Sequence, residues 1–428
     1  MGTQYDVENF GQMSTDVGLA DRLAWSRGHP VPSWRGPSDG FADVGGPGLD
    51  YGMDFNLFSY FTLGRRAELE AGLAGLRVDL YQRMLAETAQ IVAAADQAGY
   101  AGFGHPEHHL QIEGFEPSND LAALAMFIGQ HSQRLKVISC GWVSTTHNPL
   151  RAAETIATLD NMLRGRFSFG LVRGYQYRWV ENFKVRPELT AVGPWNKDSA
   201  DDDLNRQYFA EYVEIIIKAL TNRTFSHHGP FWQFPAAGMR NPHPHPVYTE
   251  MGAGVRADLT FDEIGIAPAP FQDPMPQLYA GFSASLRTAL FWARHRGRPV
   301  VMSGNYDFCD LLWSSYREEA KKWGHELVRG SEAAWGGIVI CAPTDAEANA
   351  QFEDMAWFWE KWSVPFGNPM PELLVGSPDT ISAKIEAARQ RFDPQEAFMI
   401  IPQGVHPANQ VCDSIGLFAE KVMPRFTD

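Results

Sequence analysis

The chain has 428 residues, 44% of them hydrophobic and 20% charged, which excludes a disordered polymer and allows one large domain or two ordinary ones. A formal net charge of −15, with no stripe of Lys and Arg, argues against a nucleic-acid partner, because neutralising phosphates needs clustered cations. Four scattered cysteines (Cys140, Cys309, Cys341, Cys412) without C-x-x-C spacing read as thiols of a reducing compartment. The opening MGTQYDVENFGQMSTD lacks the basic and apolar regions of a secretion signal, and no apolar run approaches the ~20 residues of a membrane helix. The expectation is a cytoplasmic protein.

Residues 1–50 are rich in Gly, Pro, Asp and Ser without periodicity, and read as a partly irregular extension preceding one domain over 51–428. Met53–Phe61 predicts a strand. Asp79–Ala98 predicts a helix from Leu80, Met84, Thr88, Ile91, Val92 and Ala95, with Asp79 as its cap and Gly99 as its left-handed stop. Strand Tyr100–Gly104 follows, then helix Asn119–Gln130, strand Lys136–Val143, helix Pro149–Leu163, strand Phe167–Val172 and helix Asn205–Leu220. The second half predicts strands Gln277–Gly281, Pro299–Ser303, Gly336–Cys341 and Ala397–Ile401. Its helices are Ser283–His295, Asp307–Trp323, Asp345–Glu360, Pro378–Arg391 and Asn409–Val422. About eight strand–helix units, with strands apolar nearly throughout, predict an α/β chain folded as a (β/α)8 TIM barrel. Phe183–Asp203 and Phe225–Asp273 break the rhythm and are expected as long βα insertions on the active-site face.

Barrel enzymes place chemistry at the carboxyl ends of their strands. After the second strand comes His105-Pro106-Glu107-His108-His109, a cluster suited either to a metal or to proton transfer, or to plain polar packing. After the third, Ser139-Cys140-Gly141-Trp142 offers small residues against which a flat ring can lie. After the fourth, Arg173 suits an anion, Gly174 lets backbone amides turn toward it, and Tyr175 follows; the plain alternative is an Arg paired to a carboxylate. Gly281-Phe282-Ser283-Ala284-Ser285 opens a helix, whose free amides and serine cap form a second anion site. Arg173 and the Ser283 helix start together make one phosphate cradle.

The stretches GYAGFGHPEHHL and KVISCGWVSTTHNPLRAAETIATLDNMLRGRFSFGLVRGY resemble the core of the bacterial luciferase family. GFSASLRTALFWARHRGRPVVMSG, SYREEAKKWGHEL, LLVGSPDT and LFAEKVMPRF continue the match in order, from about Met53 to the C-terminus. The resemblance implies a luciferase-like barrel with long βα insertions that binds reduced FMN. It also implies a monooxygenase that oxygenates a small organic substrate with O2 through a flavin hydroperoxide.

His108 falls on the histidine that acts beside the flavin. Arg173, Gly174 and Tyr175 fall on the segment holding the FMN phosphate, and Ser283 with Ala284 on the phosphate-binding helix start. Cys140 and Gly141 fall under the flavin ring, where a non-prolyl cis peptide is typical. A separate flavin reductase and a homo-oligomer are further implications. Phe282, Leu286 and Val172 depart from the family's acidic residue, threonine and reactive cysteine. Other readings stay open: a metal-dependent barrel hydrolase on His105, His108 and His109, a deazaflavin-dependent oxidoreductase, and a flavin-binding protein without turnover.

Overall fold

Short apolar runs become strands here because helices cover one of their faces and the barrel interior the other. The structure, a computed structural model, describes residues 52–282 and 285–427. The extension expected over residues 1–50, with Ser283 and Ala284, lies outside the described residues.

The chain opens with β1 (Asp54–Phe58), a short helix α1 (Arg66–Glu70) and α2 (Val78–Ala98). There follow β2 (Gly102–His105), α3 (Leu121–Gln130), β3 (Lys136–Val143), α4 (Pro149–Met162) and β4 (Phe167–Val172). Next come α5 (Tyr177–Phe183), α6 (Ala200–Thr221), the short α7 (Pro246–Glu250), β5 (Gln277–Ala280), α8 (Leu286–Ala293), β6 (Arg298–Val301) and α9 (Tyr306–Lys322). The last elements are β7 (Ala334–Cys341), α10 (Asp345–Phe358), β8 (Glu372–Gly376), α11 (Pro378–Phe392), β9 (Glu396–Ile400) and α12 (Ala408–Lys421).

Parallel pairing runs β9-β1-β2-β3-β4-β5-β6-β7, and β7 pairs back to β9, so eight strands close a barrel. β8 stands outside that ring. Gly337 and Ile338 of β7 pair with β9 on one edge and with β8 on the other, so β8 takes over the edge that β6 leaves after Trp335. Every residue of β7 and β9 is buried, as parallel strands covered on both faces require. The amino end of the barrel is plugged by a buried ionic group: Arg298 pairs with Glu396, which also accepts from the Tyr279 hydroxyl at 2.9 Å.

Local chemistry sets the helix ends. Asp120 caps α3, Asn148 caps α4 with Pro149 at its first position, and Ser377 caps α11. Gly99 stops α2 at φ 87°, as expected, but Asp79 sits in its first turn and Arg77 is the cap residue. α6 starts at Ala200, five residues before the expected Asn205, because Ser199 accepts the Asp202 N–H.

The segment 225–273 departs from expectation. Although its Phe231–Trp232 turn packs on Tyr208, whose hydroxyl bonds the Ser144 carbonyl just past β3, it follows α6 and precedes β5, so it is an αβ connection leading toward the amino ends and not a βα insertion. Gln272 anchors it there by bonding the Phe167 carbonyl at the start of β4, and Asp160 at the end of α4. Residues 173–199, including α5, are the long βα connection.

Candidate active site

The β2 end delivers three histidines that point to three different partners. His105 is fully buried, with Nε2 3.0 Å from the Ser139 hydroxyl, and burial pushes its imidazole down to about 4, so it stays neutral. His109 places Nε2 2.7 Å from Oε1 of Glu107, and His147 on the loop after β3 reaches the same oxygen at 2.7 Å. Glu107 also accepts the Val143 N–H at 2.9 Å. Burial alone would raise Glu107, but His147 and His109 outweigh it and hold the carboxyl down at about 2. This carboxylate ties the β2 and β3 loops together.

His108 turns the other way. It is 7% exposed, its Nδ1 lies 2.8 Å from Oε2 of Glu116, and its ring stacks on Tyr60 (11° between planes) and meets Tyr175 edge-on. Among the described residues no three His, Cys, Asp or Glu side chains gather closely enough to hold an ion. The metal-site reading of His105, His108 and His109 therefore fails on geometry.

At the β3 end the Cys140–Gly141 peptide is cis, as the resemblance implied, and the β3–β4 register slips between Cys140 and Trp142. The floor is tight. A Cβ on Gly141 would fall 2.8 Å from the Gly170 carbonyl oxygen, and one on Gly170 would fall 2.7 Å from the Cys140 sulfur. Burial pushes the Cys140 thiol up to about 12, so it is protonated and no nucleophile.

At the β4 end, Gly174 adopts φ 90°, which turns the chain sharply where a side chain would also strike Val143. Arg173 lies 2.5 Å from Oδ1 of Asp202, a carboxylate that also accepts from Arg206 Nε at 3.1 Å and the Asp198 N–H at 3.2 Å. Burial, with Arg206 and Arg287 nearby, lowers Arg173 despite the Asp202 bond, though a guanidinium stays charged. Arg173 is thus paired to a carboxylate, the plain alternative, and Arg287 in the first turn of α8 reaches Asp203 at 3.4 Å, so this helix start and Arg173 share one rim of paired arginines and aspartates. The α8 cap is Ser285, which accepts the Thr288 N–H; Ser283 and Ala284 lie outside the described residues.

Tyr175 packs its ring on His108 and, at 5.3 Å, on Phe366, and burial pushes its phenol up. Phe282 stands edge-on to Phe58 at 5.0 Å, next in line to Tyr60.

Sequence reasoning missed Glu116, Asp202, Arg206 and the run Trp357–Phe366. After α10 the chain makes a π turn over Trp359–Ser363. Phe358 and Trp359 meet Tyr60, Trp362 stacks on Phe115 at 5.1 Å, and Phe366 meets Tyr175. The signal was present as WFWEKWSVPF, aromatics too dense for one buried helix face.

A parallel barrel whose strand ends gather a buried histidine, a small-residue floor and a carboxylate-held arginine beside a helix start defines a class of cofactor-using barrel enzymes. The family model "Luciferase-like monooxygenase" matches residues 57–394, and the chain belongs to that family. It is 24% identical over 323 residues to the 3,6-diketocamphane 1,6-monooxygenase of Pseudomonas putida, covering 68% of this chain and 80% of that one. It is 30% identical over 249 residues to the alkanal monooxygenase alpha chain of Photobacterium leiognathi. Those residues are 58% of this chain and 57% of that one, so the match spans little more than half of the relative. Among solved structures, the oxygenating constituent of the Pseudomonas putida 3,6-diketocamphane monooxygenase, in complex with FMN, superposes with a TM-score of 0.65 at 19% identity. That match covers 87% of this chain and 98% of that one.

Proposed function

We propose that this chain binds reduced FMN at its strand ends and uses O2 to oxygenate a small, apolar organic substrate. The observation that carries the reading is the division of the barrel mouth into an arginine-bearing rim, where Asp202 holds Arg173, and an aromatic surround of His108. A ribityl phosphate suits the rim, since guanidinium and helix-start amides both favour phosphate oxygens. A flat ring suits the floor, where Cys140, Gly141 and Gly170 leave no bulk. The likeness to an FMN-bound relative supports flavin over deazaflavin.

When bound, reduced FMN supplies the electrons and the position at which O2 is activated. The remaining work falls to this chain. Arg173 and the turn at Gly174 grip the phosphate. His108 holds or moves a proton at the imidazole beside the ring. Tyr60, Tyr175, Phe282 and the Trp359–Phe366 segment exclude water, which would otherwise divert the activated oxygen to hydrogen peroxide. Reduced flavin arrives from a separate reductase, and the chain works as a homo-oligomer. No helix of the described residues is long and apolar enough to cross a membrane.

The test is oxygen uptake by the purified protein supplied with chemically reduced FMN and a panel of aldehydes, ketones and aromatic compounds. Product carrying one atom of labelled O2 is expected. Consumption yielding hydrogen peroxide alone across the panel contradicts the reading.

A further inference from the structure

The loop after β2 folds back on itself. The His108 N–H donates to the Ser118 carbonyl at 3.0 Å and the Ser118 N–H to the Glu116 carbonyl at 2.8 Å, while Glu116 adopts φ 54°. The result is a carboxylate only 2% exposed whose Oε2 sits 2.8 Å from Nδ1 of His108. Both atoms are sealed from solvent, and neither has a hydrogen bond of good geometry to any other group. Each is the other's polar neighbour, at ion-pair distance but off the line of a directed bond. Catalytic hydrogen bonds often stand this way before ligand binds. The titratable groups facing the pair are Tyr60 just after β1 and Tyr175 just after β4, with the Cys140 thiol of β3 near Tyr60. Burial keeps all three in their neutral forms, so Glu116 is the carboxyl group that His108 meets.

We propose that Glu116 is a positioning residue: it fixes the proton of neutral His108 on Nδ1, leaving Nε2 as the nitrogen that accepts a proton during turnover. Which imidazole nitrogen carries the proton is set by the hydrogen bond the other group offers, and a buried acceptor-only carboxylate offers one only to N–H. A leucine at this position would remove that acceptor while keeping the bulk. The inference rests on the flavin reading of the site, but its first readout does not.

The experiment is long-range ¹H–¹⁵N NMR of flavin-free protein labelled at histidine, at a pH where the ring is neutral. The wild type should show the Nδ1–H tautomer at His108, and Glu116→Leu should shift the population to Nε2–H. A wild-type Nε2–H tautomer, or a folded Glu116→Leu with the wild-type pattern, overturns the proposal. If Glu116→Leu does not fold, the wild-type tautomer alone decides. In the reduced-FMN assay Glu116→Leu should lower product formed per O2 consumed roughly tenfold without changing flavin affinity. Failure of every sample to bind flavin would sink the functional reading and leave the tautomer result standing.

Discussion

Arg173 donates from Nη1 to Oδ1 of Asp202 at 2.5 Å, and that carboxylate is buried to 2% exposure beneath two arginines. Arg173 is therefore held in place by this chain's own carboxylate. Asp202→Asn keeps the volume but leaves Arg173 and Arg206 without their shared charge. Both arginines are about a quarter exposed or less, so the loss should be moderate, about 2 kcal/mol of unfolding free energy. Urea denaturation measures it, and an unchanged midpoint would contradict the arrangement.

The two buried groups of the β2 loop predict acid sensitivity in two stages. Burial holds His105 at about 4, below the 6.5 of a free ring, so the unfolded chain takes up a proton before the folded one does. Stability from neutral His105 is complete above pH 6.5 and is lost as pH falls toward 4, worth about 3 kcal/mol over that interval. Glu107, held at about 2 by its histidines against burial, adds a second loss between pH 4.5 and 2. His147 runs the opposite way: burial favours its neutral form, but Glu107 outweighs it and raises the ring, so its contribution fades as pH rises above 6.5. In a pH series of urea melts, the stability gap between wild type and His105→Gln should shrink between pH 6.5 and 4. A constant gap would contradict the assignment.

Thiol chemistry separates the four cysteines. Burial pushes Cys140, Cys309 and Cys341 up to about 12, so their thiolate fraction at pH 8 is negligible. Cys412, half-buried on α12, is also raised but is the accessible one. Iodoacetamide on the native protein at pH 8 should label Cys412 first, and peptide mass spectrometry reads the site. Early labelling of Cys140 would contradict the closed floor.

His108→Ala should leave flavin affinity unchanged, because the phosphate is gripped at the Arg173 rim, while product formed per O2 consumed falls roughly tenfold or more. A variant as tightly coupled as the wild type would remove His108 from the chemistry.

Much of this was legible in the sequence where one physical signal dominated. β3 and β4 match their expected bounds because both are nearly continuous apolar runs between polar turns. The eight-stranded barrel followed from the alternation of elements, and the cis Cys140–Gly141 peptide from motif order. β8 was not legible, since ELLVG lies between a proline-rich turn and a helix cap and pairs outside the ring. The segment 225–273 is an αβ connection, as the expected helix Asn205–Leu220 before it and strand Gln277–Gly281 after it imply; its length and composition alone suggested a βα insertion. The partners were hidden for another reason. Asp202 is one of three consecutive aspartates and Glu116 lies beyond a tight backbone reversal, so only folding selects them.

The most direct test is a titration of wild type and Arg173→Ala with reduced FMN, followed by flavin fluorescence or absorbance. The account predicts saturable binding by the wild type and a dissociation constant roughly 10- to 100-fold weaker in the variant, the loss of one charged hydrogen-bonding group. Absence of binding to the wild type, or equal constants for the two proteins, would contradict it.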